Sequence, residues 1–151
     1  MRILIVEDNA FNALCLTRLL EATCQHVQVT VASNSYIALK HFEKYQPELV
    51  ILDGDLGVSE GRYCNGPALA DMLWRKYPNT AVVAWTDCNT MRVKFAEIFY
   101  QHDKRFNEYS NWTKMISPKH LHQSLAHLAT EFDFGYYVRP SSAMHLTRLY
   151  A

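Results

Sequence analysis

The sequence predicts an α/β protein, a three-layer sandwich in which five parallel strands lie between two layers of helices, and three observations carry that prediction. Short apolar runs alternate with segments of helical period five times before about residue 130. Two of the runs, Leu49 to Leu52 and Ala81 to Trp85, are apolar without alternation, as strands covered by helices on both faces are. The runs also end abruptly in polar or charged residues: Glu7-Asp8, Asp53, Thr86-Asp87 and Lys114. With right-handed crossovers, all strand ends of one kind fall on one edge of the sheet, and the carboxyl edge is where open α/β sheets bind ligands.

Arg2 to Val6 is the first strand, and Asn9 caps a helix on which Phe11, Leu14, Cys15 and Leu19 recur at helical spacing. Val27, Val29 and Val31 alternate with Gln28 and Thr30, the period of a strand with one wetter face at a sheet edge. Ser33 and Asn34 are cap candidates for a helix bearing Ala38, Phe42 and Tyr45, which Pro47 stops before the Asp53 strand. Leu56 to Pro67 contains three glycines and reads as a long loop beside Asp53; the next helix carries Leu69, Met72 and Leu73 and ends near Pro78. After the strand Ala81 to Trp85 comes a helix with Val93, Phe95, Ile98 and Phe99, and the stripe Phe95, Ile98, Phe99 and His102 reads as core or as an interface. The last strand falls somewhere in Phe106 to Thr113, interrupted by Asn107, Ser110 and Asn111. Ser117-Pro118 then opens a helix with Leu121, Leu125 and Leu128 on one face.

At 151 residues the chain has the length of one domain, placed at 1–130, with 131–151 a tail rich in Phe132, Phe134, Tyr136, Tyr137, Leu146, Leu149 and Tyr150. The tail is expected to pack back on the domain or to pair chains in a homodimer, with docking of a partner as the alternative. Lysine plus arginine and aspartate plus glutamate each total 15, so no net charge advertises direct contact with nucleic acid or a membrane surface. Cys15, Cys24, Cys64 and Cys88 show no Cys-x-x-Cys spacing, which argues for reduced thiols over disulfides or a zinc site. With no apolar run of spanning length and no signal-peptide pattern, the expected location is the cytoplasm.

The strand ends bring Glu7, Asp8, Asp53, Asp55, Thr86 and Lys114 to one edge. Glu7, Asp8 or Thr86 taken singly reads as a helix cap. Together, three or four carboxylates repel one another unless a hard cation is present, and all-oxygen ligands suit Mg²⁺ or Mn²⁺. A lysine and a hydroxyl beside that cation are the groups expected around a phosphoryl group. The seven histidines are scattered and form no ligand set.

In this order and spacing, Val6-Glu7-Asp8-Asn9, Leu52-Asp53, Trp85-Thr86 and Lys114 resemble the receiver domain of two-component response regulators over residues 1 to 130. The resemblance implies a flavodoxin-like sheet of strand order 2-1-3-4-5. It implies that Asp53 accepts a phosphoryl group from a sensor histidine kinase or a histidine phosphotransfer protein. Glu7 (largely through water), Asp8, Asp53 and the main-chain carbonyl of Asp55 would hold Mg²⁺, while Lys114 and Thr86 would meet the phosphoryl oxygens. The chain would then be a single-domain regulator acting on an output protein by contact and carrying no enzymatic activity beyond its own phosphorylation and dephosphorylation. Four features depart from the family pattern: Met115 stands where a proline is usual, Asn111 where an aromatic is frequent, Asp87 adds a negative charge beside Thr86, and Arg62 to Gly66 reads as an insertion. Those departures motivate one alternative, a degenerate receiver that binds partners without phosphorylation. Asp53-Gly54-Asp55 also resembles the Asp-x-Asp motif of haloacid-dehalogenase-type phosphatases, a second alternative disfavoured by the short chain.

Overall fold

A computed structural model of the protein describes residues 1–57 and 65–134. Five strands alternate with five helices: β1 (Arg2–Val6), α1 (Ala10–Thr23), β2 (Gln28–Ala32), α2 (Ser35–Tyr45), β3 (Leu49–Asp53), α3 (Gly66–Lys76), β4 (Ala81–Trp85), α4 (Asn89–Gln101), β5 (Asn111–Trp112) and α5 (Pro118–Phe132). The strands form one parallel sheet of order β2-β1-β3-β4-β5, the flavodoxin-like arrangement expected. Because successive side chains on a strand face opposite ways, β1 divides its residues between two cores. Ile3 and Ile5 join Leu16, Leu20, Ile51, Val83, Trp85, Trp112, Leu121 and Leu125 beneath α1 and α5. Leu4 and Val6 join Val50, Leu52, Phe42, Leu69, Leu73, Phe95 and Phe99 beneath α2, α3 and α4. The central β3 is buried along its whole length, each large apolar side chain contributing about 1.5–3 kcal/mol, and this burial is what holds Asp53 rigidly at the strand end.

Local chemistry sets the helix boundaries. The side chains of Asn9, Asn34, Asn65 and Ser117 each accept a hydrogen bond from the backbone N–H three residues on, starting α1, α2, α3 and α5. Gln46 ends α2 in the left-handed conformation directly before Pro47. Three readings of the sequence are refined. On α1 the buried residues are Ala13, Leu16 and Leu20, while Phe11 and Leu14 are 72% and 52% exposed, so the helix is where expected but turned. The last strand shrinks to two residues because Ser110 Oγ accepts from Asn107 N (3.0 Å) and donates to Arg105 O (2.8 Å), closing a turn where a longer strand would run. Helix α5 continues past residue 130 to Phe132, four residues beyond Leu128, and Phe134 is buried against the α1 and α5 core.

The expectations for residues 58–64 and 135–151, including Cys64, most of the Arg62 to Gly66 segment and most of the tail, lie outside the described residues. Among the described residues no helix is long and apolar enough to cross a membrane. Cys15 and Cys88 are exposed free thiols, and burial pushes the Cys24 thiol up to about 11.

Candidate functional site

Parallel pairing delivers Glu7, Asp53, Thr86 and Lys114 to the carboxyl edge of the sheet, Asp53 as the last residue of β3, Glu7 and Thr86 directly after β1 and β4, and Lys114 two residues after β5. Glu7 is 2% exposed and Asp53 7%, whereas Asp8 is exposed at the mouth. Glu7 Oε1 accepts from Asn9 N at 3.0 Å, fixing the turn into α1, and its other oxygen meets the Lys114 ammonium. Lys114 Nζ also lies 3.0 Å from Asp53 Oδ1, so one ammonium bridges two buried carboxylates. Burial raises the Glu7 carboxyl above its ordinary value, and the hydrogen bonds from Lys114 and Asn9 offset part of that rise.

The hydroxyl of Thr86 accepts from Cys88 N at 3.1 Å, while Thr86 N donates to Trp112 O at 3.0 Å and ties β4 to β5. A Cβ on Gly54 would lie 3.2 Å from that hydroxyl, which places Thr86 against the backbone that follows Asp53. Asp55 is exposed and its Oδ1 accepts from Gly57 N at 3.0 Å, a turn contact within its own loop.

Carboxylate oxygens of Glu7, Asp8 and Asp53 all lie within 4.8 Å of one another. Three carboxylates against one ammonium leave an excess of negative charge in a pocket open on the Asp8 side, and the donors are hard oxygens. That combination fits a divalent cation such as Mg²⁺, which takes few protein ligands and keeps several waters. The Asp55 side chain is not part of this cluster.

The structure adds residues that periodicity did not single out. Trp85 is 1% exposed, and Lys114 Nζ lies 3.8 Å from its ring centroid. Asp87 Oδ1 accepts from the backbone N of Lys114 at 2.9 Å. Gly66, the first residue of α3, donates its N–H to Gly54 O at 2.9 Å, and a Cβ there would sit 2.1 Å from the Asp53 carbonyl oxygen. Asn65-Gly66-Pro67, a cap followed by a first-turn proline, was the available signal for this contact. Arg92 reaches back from α4 to the Thr86 carbonyl at 3.3 Å. A separate cavity of about 580 Å³ opens at the opposite, amino end of β3 and β4, lined in part by Pro47, Glu48, Asn79 and Thr80, and shares no residue with the acidic cluster.

Over residues 3–107 the sequence matches the family described as response regulator receiver domain, and the chain belongs to that family. The matched span includes Glu7, Asp8, Asp53 and Thr86 and stops short of Lys114, whose place in the site is given by its sequence position after the last strand and by its 3.0 Å contact with Asp53. The fold is similar to the receiver domain of NtrX from Brucella abortus, with a TM-score of 0.66 at 19% identity over 87% of this chain and 98% of that one. It is similar to a CheY-like response regulator receiver domain protein from Methanospirillum hungatei JF-1, with a TM-score of 0.69 at 17% identity over 87% and 95% of the two chains. The signal receiver domain of a modulated diguanylate cyclase from Desulfovibrio desulfuricans G20 gives a TM-score of 0.69 at 19% identity, over 89% and 97%. The comparison with curated proteins finds no match to this sequence.

Proposed function

We propose that this receiver domain accepts a phosphoryl group on Asp53 and signals by protein contact. The observation that carries the reading is the placement of Asp53: a carboxylate held rigid by a wholly buried strand, with Lys114 Nζ at 3.0 Å and Glu7 and Asp8 within reach of a shared cation. The donor would be a sensor histidine kinase or a histidine phosphotransfer protein. An Asp53 carboxylate oxygen attacks phosphorus, the P–N bond to the donor imidazole breaks, and the electron pair returns to the ring nitrogen. Asp8, Asp53 and the Asp55 carbonyl, with Glu7 acting through water, would hold Mg²⁺, which would supply charge neutralisation for the incoming group.

The rest is the work of this chain's own groups. Lys114 carries its ammonium to Asp53 and pairs with phosphoryl oxygen in place of carboxylate oxygen. Thr86, whose hydroxyl currently accepts from Cys88 N, has a donor proton to turn toward the new oxygens, which would pull the β4 end and the start of α4 with it. Adding about −1.5 to −2 of charge on Asp53, by analogy with other phosphorylated residues, biases that pair of positions. The location is the cytoplasm, and the output is contact with another protein or with a second copy of the chain. The domain is read as residues 1–130 with 131–151 as its appendage. Asp55 supports acceptance over phosphatase turnover, because its carboxylate lies outside the Glu7, Asp8 and Asp53 cluster and accepts from the Gly57 amide in its own loop.

The test is intact mass after incubation with acetyl phosphate and Mg²⁺. Wild type should gain one phosphate-sized increment and Asp53→Asn none; an equal gain in the variant, or none in wild type, removes Asp53 as acceptor.

A further inference from the structure

Lysine presents a point charge on a flexible four-carbon stem, so a site that needs its ammonium at one place must restrain it. The residue after Lys114 does not: Met115 is 90% exposed and anchors nothing. Two other contacts stand where an anchor is needed. The ammonium lies over the face of Trp85, 3.8 Å from the ring centroid, on an indole that is itself 1% exposed and packed into the core beneath α1 and α5. The backbone N–H of Lys114 donates to Asp87 Oδ1 at 2.9 Å.

The second contact continues the sheet by other means. The parallel ladder between β4 and β5 pairs Ala84 with Asn111 and Trp85 with Trp112, and runs on through Thr86 N to Trp112 O. The next rung of such a ladder would carry the Lys114 N–H to the Thr86 carbonyl. Here that carbonyl accepts from Arg92 instead, and the Asp87 side chain supplies the acceptor for Lys114. The charge of Asp87, which the sequence places beside the phosphoryl site, is therefore directed onto a main-chain donor. The indole face, for its part, attracts the ammonium without accepting a hydrogen bond, so the N–H groups of Lys114 remain available to Glu7 and Asp53.

We infer that Trp85 and Asp87, the two residues flanking Thr86, are positioning residues that fix Lys114 at its ammonium and at its backbone, so that the hydroxyl and the lysine of the site move as one unit. The inference rests on the phosphoryl-accepting reading of the site.

Amide hydrogen exchange read by NMR on the full chain tests the backbone anchor independently of phosphorylation. Exchange at Lys114 should be about 10-fold faster in Asp87→Ala, the lower end for loss of a hydrogen bond to a charged group, and close to wild type in Asp87→Asn, which keeps a carbonyl acceptor. The rate of phosphorylation from acetyl phosphate with Mg²⁺ should follow the same order. Unchanged exchange in Asp87→Ala, or Asp87→Asn behaving as Asp87→Ala does, overturns the role of Asp87. For the other anchor, Lys114→Met should alter tryptophan emission in the wild-type background and leave it unaltered in a Trp85→Phe background; an equal change in both overturns the role of Trp85. If wild type takes no phosphoryl group, the proposed function fails while exchange and emission still decide the anchoring.

Discussion

Replacing Lys114 by methionine keeps most of the stem and removes the charge that lies between Glu7 and Asp53. At 3.0 Å, the Asp53 pair alone has a gross attraction of about 5.5 kcal/mol at an effective dielectric of about 20. Much of that is spent on desolvating the ammonium, whose side chain is 19% exposed against 2% for Glu7 and 10% for Asp53. What the variant loses is the compensation of two buried carboxylates, and breaking such a pair costs about 3–5 kcal/mol. Glu7 can relieve part of this by taking a proton, since burial already raises its carboxyl, so the low end of about 3 kcal/mol is expected for the metal-free protein. For a domain of this size that is roughly 6–12 °C in Tm. Excess Mg²⁺ supplies the missing positive charge and should recover most of the loss in Lys114→Met while stabilising wild type less. Thermal denaturation at neutral pH, followed by circular dichroism with chelator and then with Mg²⁺, reads both numbers. A drop under about 1 °C with chelator would show that the ammonium is not compensating buried charge. A drop that Mg²⁺ does not reduce would refute the shared-site reasoning.

Two further outcomes follow from the same geometry. Gly66→Ala puts a methyl 2.1 Å from the Asp53 carbonyl oxygen and 2.6 Å from Phe95 Cζ, so α3 must shift off β3. A loss of about 3 kcal/mol in chemical denaturation is expected, and a loss under about 0.5 kcal/mol would show that the contact is not as tight as described. The raised Glu7 carboxyl means that the fold binds this proton more tightly than the unfolded chain does. Its contribution is fully present below the ordinary value of 4.5 and is lost as pH rises through the raised one. In chelator, Glu7→Gln should therefore gain stability relative to wild type as pH is raised from about 4.5 toward neutrality. A difference that stays flat or narrows over that range contradicts the assignment.

The alternation of strands and helices, the helix positions and the acidic edge were legible because each rests on local patterns: unbroken apolar runs for β3 and β4, asparagine and serine caps, and polar residues at strand ends; the strand order came only from the resemblance to receiver domains. What was not legible depends on rotation and on contacts across the fold. Phe11, Leu14 and Leu19 fit a helical stripe as well as Ala13, Leu16 and Leu20 do, and only packing of α1 against α5 selects the second set. The brevity of β5 comes from the Asn107 to Ser110 turn, a side-chain choice that alternation does not encode. Lys114 was found by its place after the last apolar run. Its supports were not, because Trp85 reads as one more strand residue and Asp87 reads as an added charge until the Lys114 amide is seen against it.

The central claim is that Asp53 is the residue that carries the phosphoryl group, and its most direct test locates the modification itself. After reaction with acetyl phosphate and Mg²⁺, borohydride reduction converts an aspartyl phosphate to homoserine, and peptide mass spectrometry reads the position. Conversion is expected at Asp53 alone. Conversion at Asp8 or Asp55, or a phosphate-sized mass gain with Asp53 unconverted, would contradict it.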